Sequence, residues 1–65
     1  MKVNLSFIKK KRNEMGYTLQ YMADALGYKK ASTYALYENG EYALKADMLP
    51  ILANVLKCNI EDFFC

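Results

Sequence analysis

The sequence contains no histidine and no tryptophan, one proline, two cysteines and three glycines in 65 residues. Without histidine there is no side chain that ordinarily titrates near neutral pH to serve as a general base, and no imidazole to bind a metal. Two cysteines fall short of the four nitrogen or sulfur ligands of a structural zinc site. Cys58 follows an apolar segment and reads as a small buried hydrophobe, while Cys65, the last residue, reads as a free thiol. No histidine base is present to activate either, so no catalytic residue, metal site, cofactor or small-molecule substrate is expected, and an enzyme is not. No apolar run approaches the ~20 residues needed to span a bilayer. Met1-Lys2-Val3-Asn4 is not followed by the apolar stretch and cleavage site of a signal peptide. The expectation is a cytoplasmic protein with no membrane partner.

What is present suits one small helical domain over residues 1–65. Apolar residues make up 54% of the chain, enough for a single core and far from a disordered composition. The formal net charge of +2 permits nucleic-acid binding without demanding it. Its distribution says more than its total. Lys9-Lys10-Lys11-Arg12 and Lys29-Lys30 are basic clusters, and Glu61-Asp62 lie near the other end. For Lys9, Lys10 and Lys11 a solvated helix face is as good a reading as a binding surface.

Five helices and no strand are expected. The first runs from Leu5 to Met15, capped by Asn4 or Ser6 and ended by Gly16, with Leu5, Ile8, Arg12 and Met15 inward. Arg12 is the odd member of that stripe and calls for a carboxylate partner. Thr18 caps the second helix, in which Leu19, Met22, Ala23 and Leu26 form an apolar face; Tyr17 and Met22 have the spacing of a hydrophobic staple. Capping chemistry favours Ser32 as the start of the third helix, with Lys30 the earliest start. Tyr34, Tyr37 and Glu38 share one face of it, so Glu38 is the natural partner for Arg12; Ser32, Ala35, Leu36 and Asn39 lie opposite. Pro50 belongs to a first turn, which makes Asp47 the cap of a fourth helix that is apolar nearly all round and therefore central. Asn59 caps a last short helix, Ile60 to Phe64.

The segment from Thr18 to Gly40 is the most informative. Two short helices, about 18–26 and 31–39, are joined too tightly to lie side by side, so they cross in a helix-turn-helix. In that arrangement the second helix is offered to the major groove of DNA.

With Ile8-Lys9-Lys10-Lys11-Arg12, Gly16-Tyr17-Thr18, Met22-Ala23-Asp24-Ala25-Leu26-Gly27, Tyr37-Glu38-Asn39-Gly40, Leu52-Ala53-Asn54-Val55-Leu56 and Asn59-Ile60-Glu61-Asp62-Phe63-Phe64 in this order, nearly the whole chain resembles the Cro and repressor-type helix-turn-helix family of phage and bacterial regulators. The resemblance implies a lambda-repressor-like five-helix fold and a buried Arg12–Glu38 ion pair. It also implies a phosphate contact from Asn39, base-edge contacts from Ala31, Ser32, Thr33, Ala35 and Leu36, and backbone contacts from Tyr42 and Lys45. Lys29 and Lys30, together with Thr18 and Gln20 at the start of the second helix, complete the expected DNA-contacting set. The chain departs from the family in two places. Leu19 stands where the family usually has a backbone-touching glutamine, with Gln20 next along, and the connection Gly27-Tyr28-Lys29-Lys30-Ala31 is one residue longer than the commonest form.

Two functions follow from this. One is a sequence-specific regulator of transcription, of phage-type repressor style, binding a pseudo-palindromic operator in double-stranded DNA as a homodimer with Phe63 and Phe64 at its interface. The other is an antitoxin or protein-interaction module keeping the same fold. Salt-sensitive duplex binding separates them.

Overall fold

The first helix starts where Asn4 can cap it: Asn4 Oδ1 accepts from the Phe7 amide at 3.1 Å, which settles the choice against Ser6. The computed structural model describes residues 3–64. It comprises helices α1 (Leu5–Met15), α2 (Leu19–Leu26), α3 (Ala31–Glu38) and α4 (Met48–Leu56), followed by a 3-10 turn (Ile60–Phe63). The fold is all-helical. The fifth helix shrinks to this turn, in which the Asp62 amide bonds the Asn59 carbonyl at 3.0 Å and Asp62 Oδ2 accepts from the Asn59 amide at 3.1 Å. Phe64 is already extended and forms an isolated antiparallel bridge with Val3. Cys65, read as a free thiol, lies outside the described residues.

Thr18 caps α2, its hydroxyl accepting from the Tyr21 amide at 3.0 Å, and Gly27 ends it with φ +86°, a left-handed conformation that glycine adopts freely. α3 starts at the first residue of the expected 31–39 range and not at Ser32, which capping chemistry favours. The helix begins at Ala31, with Lys30 at the cap position and no side-chain cap bond. Ser32 therefore sits inside the helix, and its hydroxyl is not spent on capping. Asp47 does stand before α4, but in a helical conformation and without a cap bond. Residues 45–47 already turn, so the Met48 and Leu49 amides take the Lys45 and Ala46 carbonyls instead.

The core comprises Ile8, Met22, Ala23, Tyr34, Tyr37, Met48, Leu52, Ala53, Leu56 and Phe63. α2 packs on α3 and α4, and α1 touches α3, α4 and the 3-10 turn. Ala23, small and fully buried, lets neighbouring helices approach α2 closely. α4 supplies four core residues, yet it is not apolar-buried all round: Ile51 is 40% exposed. Phe63 is fully buried, its ring edge-on to Phe7 at 6.1 Å and its carbonyl accepting from the Asn4 amide. Burial of a side chain this size is worth about 1.5–3 kcal/mol, so Phe63 belongs to the monomer's core. The expectation that Phe63 lies at a dimer interface is corrected on that ground; Phe64 is half-buried. No helix among the described residues is long and apolar enough to cross a membrane.

Candidate nucleic-acid interface

The α2–α3 pair is held from behind by one ion pair. Arg12 Nε donates to Glu38 Oε2 at 2.9 Å and Nη2 to Oε1 at 3.1 Å, a two-pronged fork linking α1 to the end of α3. Nη1 donates to the Tyr17 carbonyl at 2.9 Å, which adds the α1–α2 connection to the same knot. Both partners are buried. Beside them the Tyr34 hydroxyl is buried with no hydrogen-bond partner in good geometry. Burial pushes its phenol far above the ordinary tyrosine value, and the neighbouring Glu38 carboxylate adds to the shift while Arg12 opposes it.

With Tyr34, Tyr37 and Glu38 turned inward, the opposite face of α3 carries Ser32, Ala35, Leu36 and, just past the helix, Asn39. Ser32 and Asn39 are exposed; Ala35 and Leu36 are half-buried. Ala31 and Thr33, also half-buried, lie on the flanks of this face. The chemistry on offer is one primary hydroxyl, one carboxamide and small apolar groups. That suits hydroxyl contacts to base edges and apolar contacts to thymine methyls better than two-pronged recognition of guanine. An eight-residue helix is about 12 Å long, comparable with the ~12 Å width of the major groove.

Cations flank this face. Lys29 and Lys30 are exposed immediately before α3, and Lys45 and Tyr42 are exposed in the loop after it. The loop is tethered at its start: the Glu41 and Tyr42 amides both bond the Leu36 carbonyl, at 2.9 and 3.2 Å. Exposed Thr18 caps α2, and the Leu19 and Gln20 amides precede its first i→i−4 bond, from Met22 to the Thr18 carbonyl. Such amides are suited to a phosphate oxygen.

Gln20 also has partners inside the protein. Its side-chain Nε2 donates to Asp24 Oδ1 at 2.9 Å and to the Lys29 carbonyl at 3.4 Å. In this arrangement the exposed carboxamide shares its donor hydrogens within the protein. Gln20 braces the turn. Two tyrosines also pair beside this helix start. Tyr17 stacks on Tyr21 at 4.3 Å across the α2 cap, and Tyr21 remains 48% exposed beside the α2 amides. Their i, i+4 separation was the available signal.

Lys9 and Lys10 are exposed on the outer side of α1. Cys58 is half-buried rather than enclosed; burial pushes its thiol up, Asp62 adds to this and Lys11 opposes it, so it is not an activated nucleophile. Among the described residues no group of three or more histidine, cysteine, aspartate or glutamate side chains is placed to hold a metal ion.

A model of the helix-turn-helix family matches residues 8–63, from the second turn of α1 to the end of the 3-10 turn. No solved structure matches the chain. With most of its length covered by that match, and with α2 and α3 packed together over a buried ion pair, the chain belongs to the Cro/C1-type helix-turn-helix family of DNA-binding transcription regulators.

Proposed function

We propose that the protein is a sequence-specific repressor of phage type that binds a pseudo-palindromic operator as a homodimer. The observation that carries this reading is the partly exposed outer side of α3, with exposed lysines at 29, 30 and 45 in the segments before and after it and the Arg12–Glu38 fork behind it. Lys29, Lys30, Lys45, Tyr42, Asn39 and the amides after Thr18 dock on phosphates and set the register. Ser32, Thr33, Leu36 and the small side chains of Ala31 and Ala35 meet base edges and methyl groups. Occupancy of the operator then excludes polymerase.

The dimer follows from size. The longest extent of the Cα trace is 29 Å, less than the ~34 Å rise of one turn of B-DNA. One copy with one short helix reads few bases, and a second copy one helical turn away doubles the site. With Phe63 assigned to the core, the apolar surface available at the C-terminal end is half-buried Phe64 together with Ile60, which is 38% exposed.

Selection of bound sequences from a random duplex pool, followed by footprinting on the DNA upstream of the protein's own gene, tests the proposal. Two inverted half-sites about one turn apart support it, with dimer formation lost in the Ile60→Asp and Phe64→Ser variants. A single half-site bound by a monomer contradicts the dimer. Failure to enrich any sequence favours the antitoxin or interaction-module reading.

A further inference from the structure

Three tyrosines from three separate segments form one continuous run of rings. Tyr28 lies in the turn before α3, Tyr37 in α3, and Tyr42 in the loop after it. The Tyr28 ring stacks on Tyr37 at 5.5 Å and 19°, and Tyr42 meets the Tyr37 ring edge-on at 5.4 Å and 75°. Tyr37 is buried and Tyr42 is 51% exposed, so the run leads from the inside of the domain to its surface. The Tyr28 hydroxyl reaches Met48 Sδ at 3.7 Å, and the Met48 amide bonds the carbonyl of Lys45. Tyr28 thus touches the anchors at both ends of the loop between α3 and α4: Tyr37, under Tyr42, and Met48, behind Lys45.

We infer that Tyr28 is a positioning residue for this loop, fixing through the Tyr37 ring where Tyr42 meets the sugar-phosphate backbone of duplex DNA. The physical reason is that the loop has little else to hold it. From Asn39 to Asp47 only Leu44 is partly buried against the core, and the backbone bonds of the first turn all run back into α3, to the carbonyls of Ala35, Leu36 and Tyr37. Fixing a residue's backbone costs about 1–2 kcal/mol of entropy, which a loop of this kind must recover from contacts at its ends. A flat ring on Tyr37 holds the orientation of the surface on which Tyr42 rests, whereas an aliphatic side chain lets the Tyr37 ring tilt. The turn between α2 and α3 places the Tyr28 ring over Tyr37. This inference rests on the DNA-binding reading for its partner, but not for its geometry.

The test has two arms, run on the full chain. In the first, amide hydrogen exchange is compared in the parent, Tyr28→Phe, Tyr28→Leu and Tyr42→Ala. Tyr28→Phe keeps the ring and matches the parent. Tyr28→Leu speeds exchange of the Glu41 and Tyr42 amides by about tenfold or more relative to amides in α1, as expected of a local opening. Tyr28→Met, which fills the space without a flat ring, does the same and stands in where the leucine variant does not fold. Unchanged exchange at Glu41 and Tyr42 in both variants, or equal acceleration in Tyr28→Phe, overturns the inference. In the second arm the variants are titrated with a 30-base-pair mixed-sequence duplex at low salt. Tyr28→Leu weakens binding, and the Tyr28→Leu/Tyr42→Ala double binds no more weakly than Tyr42→Ala alone. Losses that simply multiply show independent residues and refute the coupling. A parent that binds no duplex removes the DNA-binding reading, and the exchange arm still decides the positioning role.

Discussion

Glu38→Ala removes both prongs of the fork from Arg12 and leaves a guanidinium buried against Tyr34 with only the Tyr17 carbonyl still in its grasp. Each hydrogen bond to a charged group is worth about 1.5–3 kcal/mol, and breaking one side of a buried pair costs about 3–5 kcal/mol because the stranded charge stays desolvated. At about 0.05–0.15 kcal/mol per residue, a domain of this size has roughly 3–10 kcal/mol in total. A domain this small shifts its midpoint by about 4–8 °C per kcal/mol, so the variant melts at least ~12 °C below the parent, measured by far-ultraviolet circular dichroism. The companion variant is Arg12→Met with Glu38→Leu, which removes both charges and refills most of the volume. It leaves the Tyr17 carbonyl without its donor, yet it is more stable than Glu38→Ala alone, because no unpaired charge remains buried. A Glu38→Ala midpoint within about 2 °C of the parent, or a double variant less stable than the single one, refutes the reasoning that α1 and α3 are locked by this pair.

Tyr34 and Tyr28 both have phenols raised above the ordinary value of 10.0, the first by burial with Glu38 adding, the second by Tyr37 with burial adding. The unfolded chain therefore loses these protons at lower pH than the folded one, and stability, fully present below about pH 10, falls as pH rises beyond it; denaturant midpoints across pH 9–11 check the sign. Tyr34→Phe deletes a buried hydroxyl without a partner, so it keeps or raises stability by up to about 1 kcal/mol and lessens the alkaline fall; a loss above ~1 kcal/mol contradicts the geometry. Lys57 ends α4 at φ +55°, a left-handed conformation. Lys57→Gly relieves about 1 kcal/mol of strain against a partly offsetting gain in unfolded-state freedom, and a lowered melting temperature shows that the lysine side chain contributes more than its strain costs.

Much of this architecture was legible because several residues could be explained in one way only. Pro50 had to lie in a first turn. Thr18 and Gly27 bracket an apolar stripe of helical period, and an arginine on the apolar face of α1 required an acid, which only the inward face of α3 offered. Capping chemistry pointed past the start of α3, since Ala31 is preceded by a lysine that makes no cap bond while Ser32 and Thr33 lie inside the helix. Phe63 and Phe64 are chemically alike and adjacent, so only the three-dimensional path of the 3-10 turn decides which one enters the core. The run of rings through Tyr28, Tyr37 and Tyr42 depends on contacts between segments nine and five residues apart, for which no local period exists. The bond from Gln20 to the Lys29 carbonyl was not legible either, because it exists only once the turn closes. On the interface itself, residue type and exposure agree for Ser32, Asn39, Lys29, Lys30, Tyr42 and Lys45, whereas Ala31, Thr33, Ala35 and Leu36 are only half open to a partner.

The most direct test of α3 as the reading helix is a salt-dependent titration of the parent and two kinds of variant against the selected operator and a scrambled duplex. Lys30→Ala and Lys45→Ala weaken binding to both duplexes alike and reduce the salt slope by about one unit each. Ser32→Ala and Leu36→Ala cost about 1–3 kcal/mol on the operator and leave the scrambled duplex almost unaffected. Lysine variants that lose only discrimination, or α3 variants that lose affinity for both duplexes equally, contradict the account.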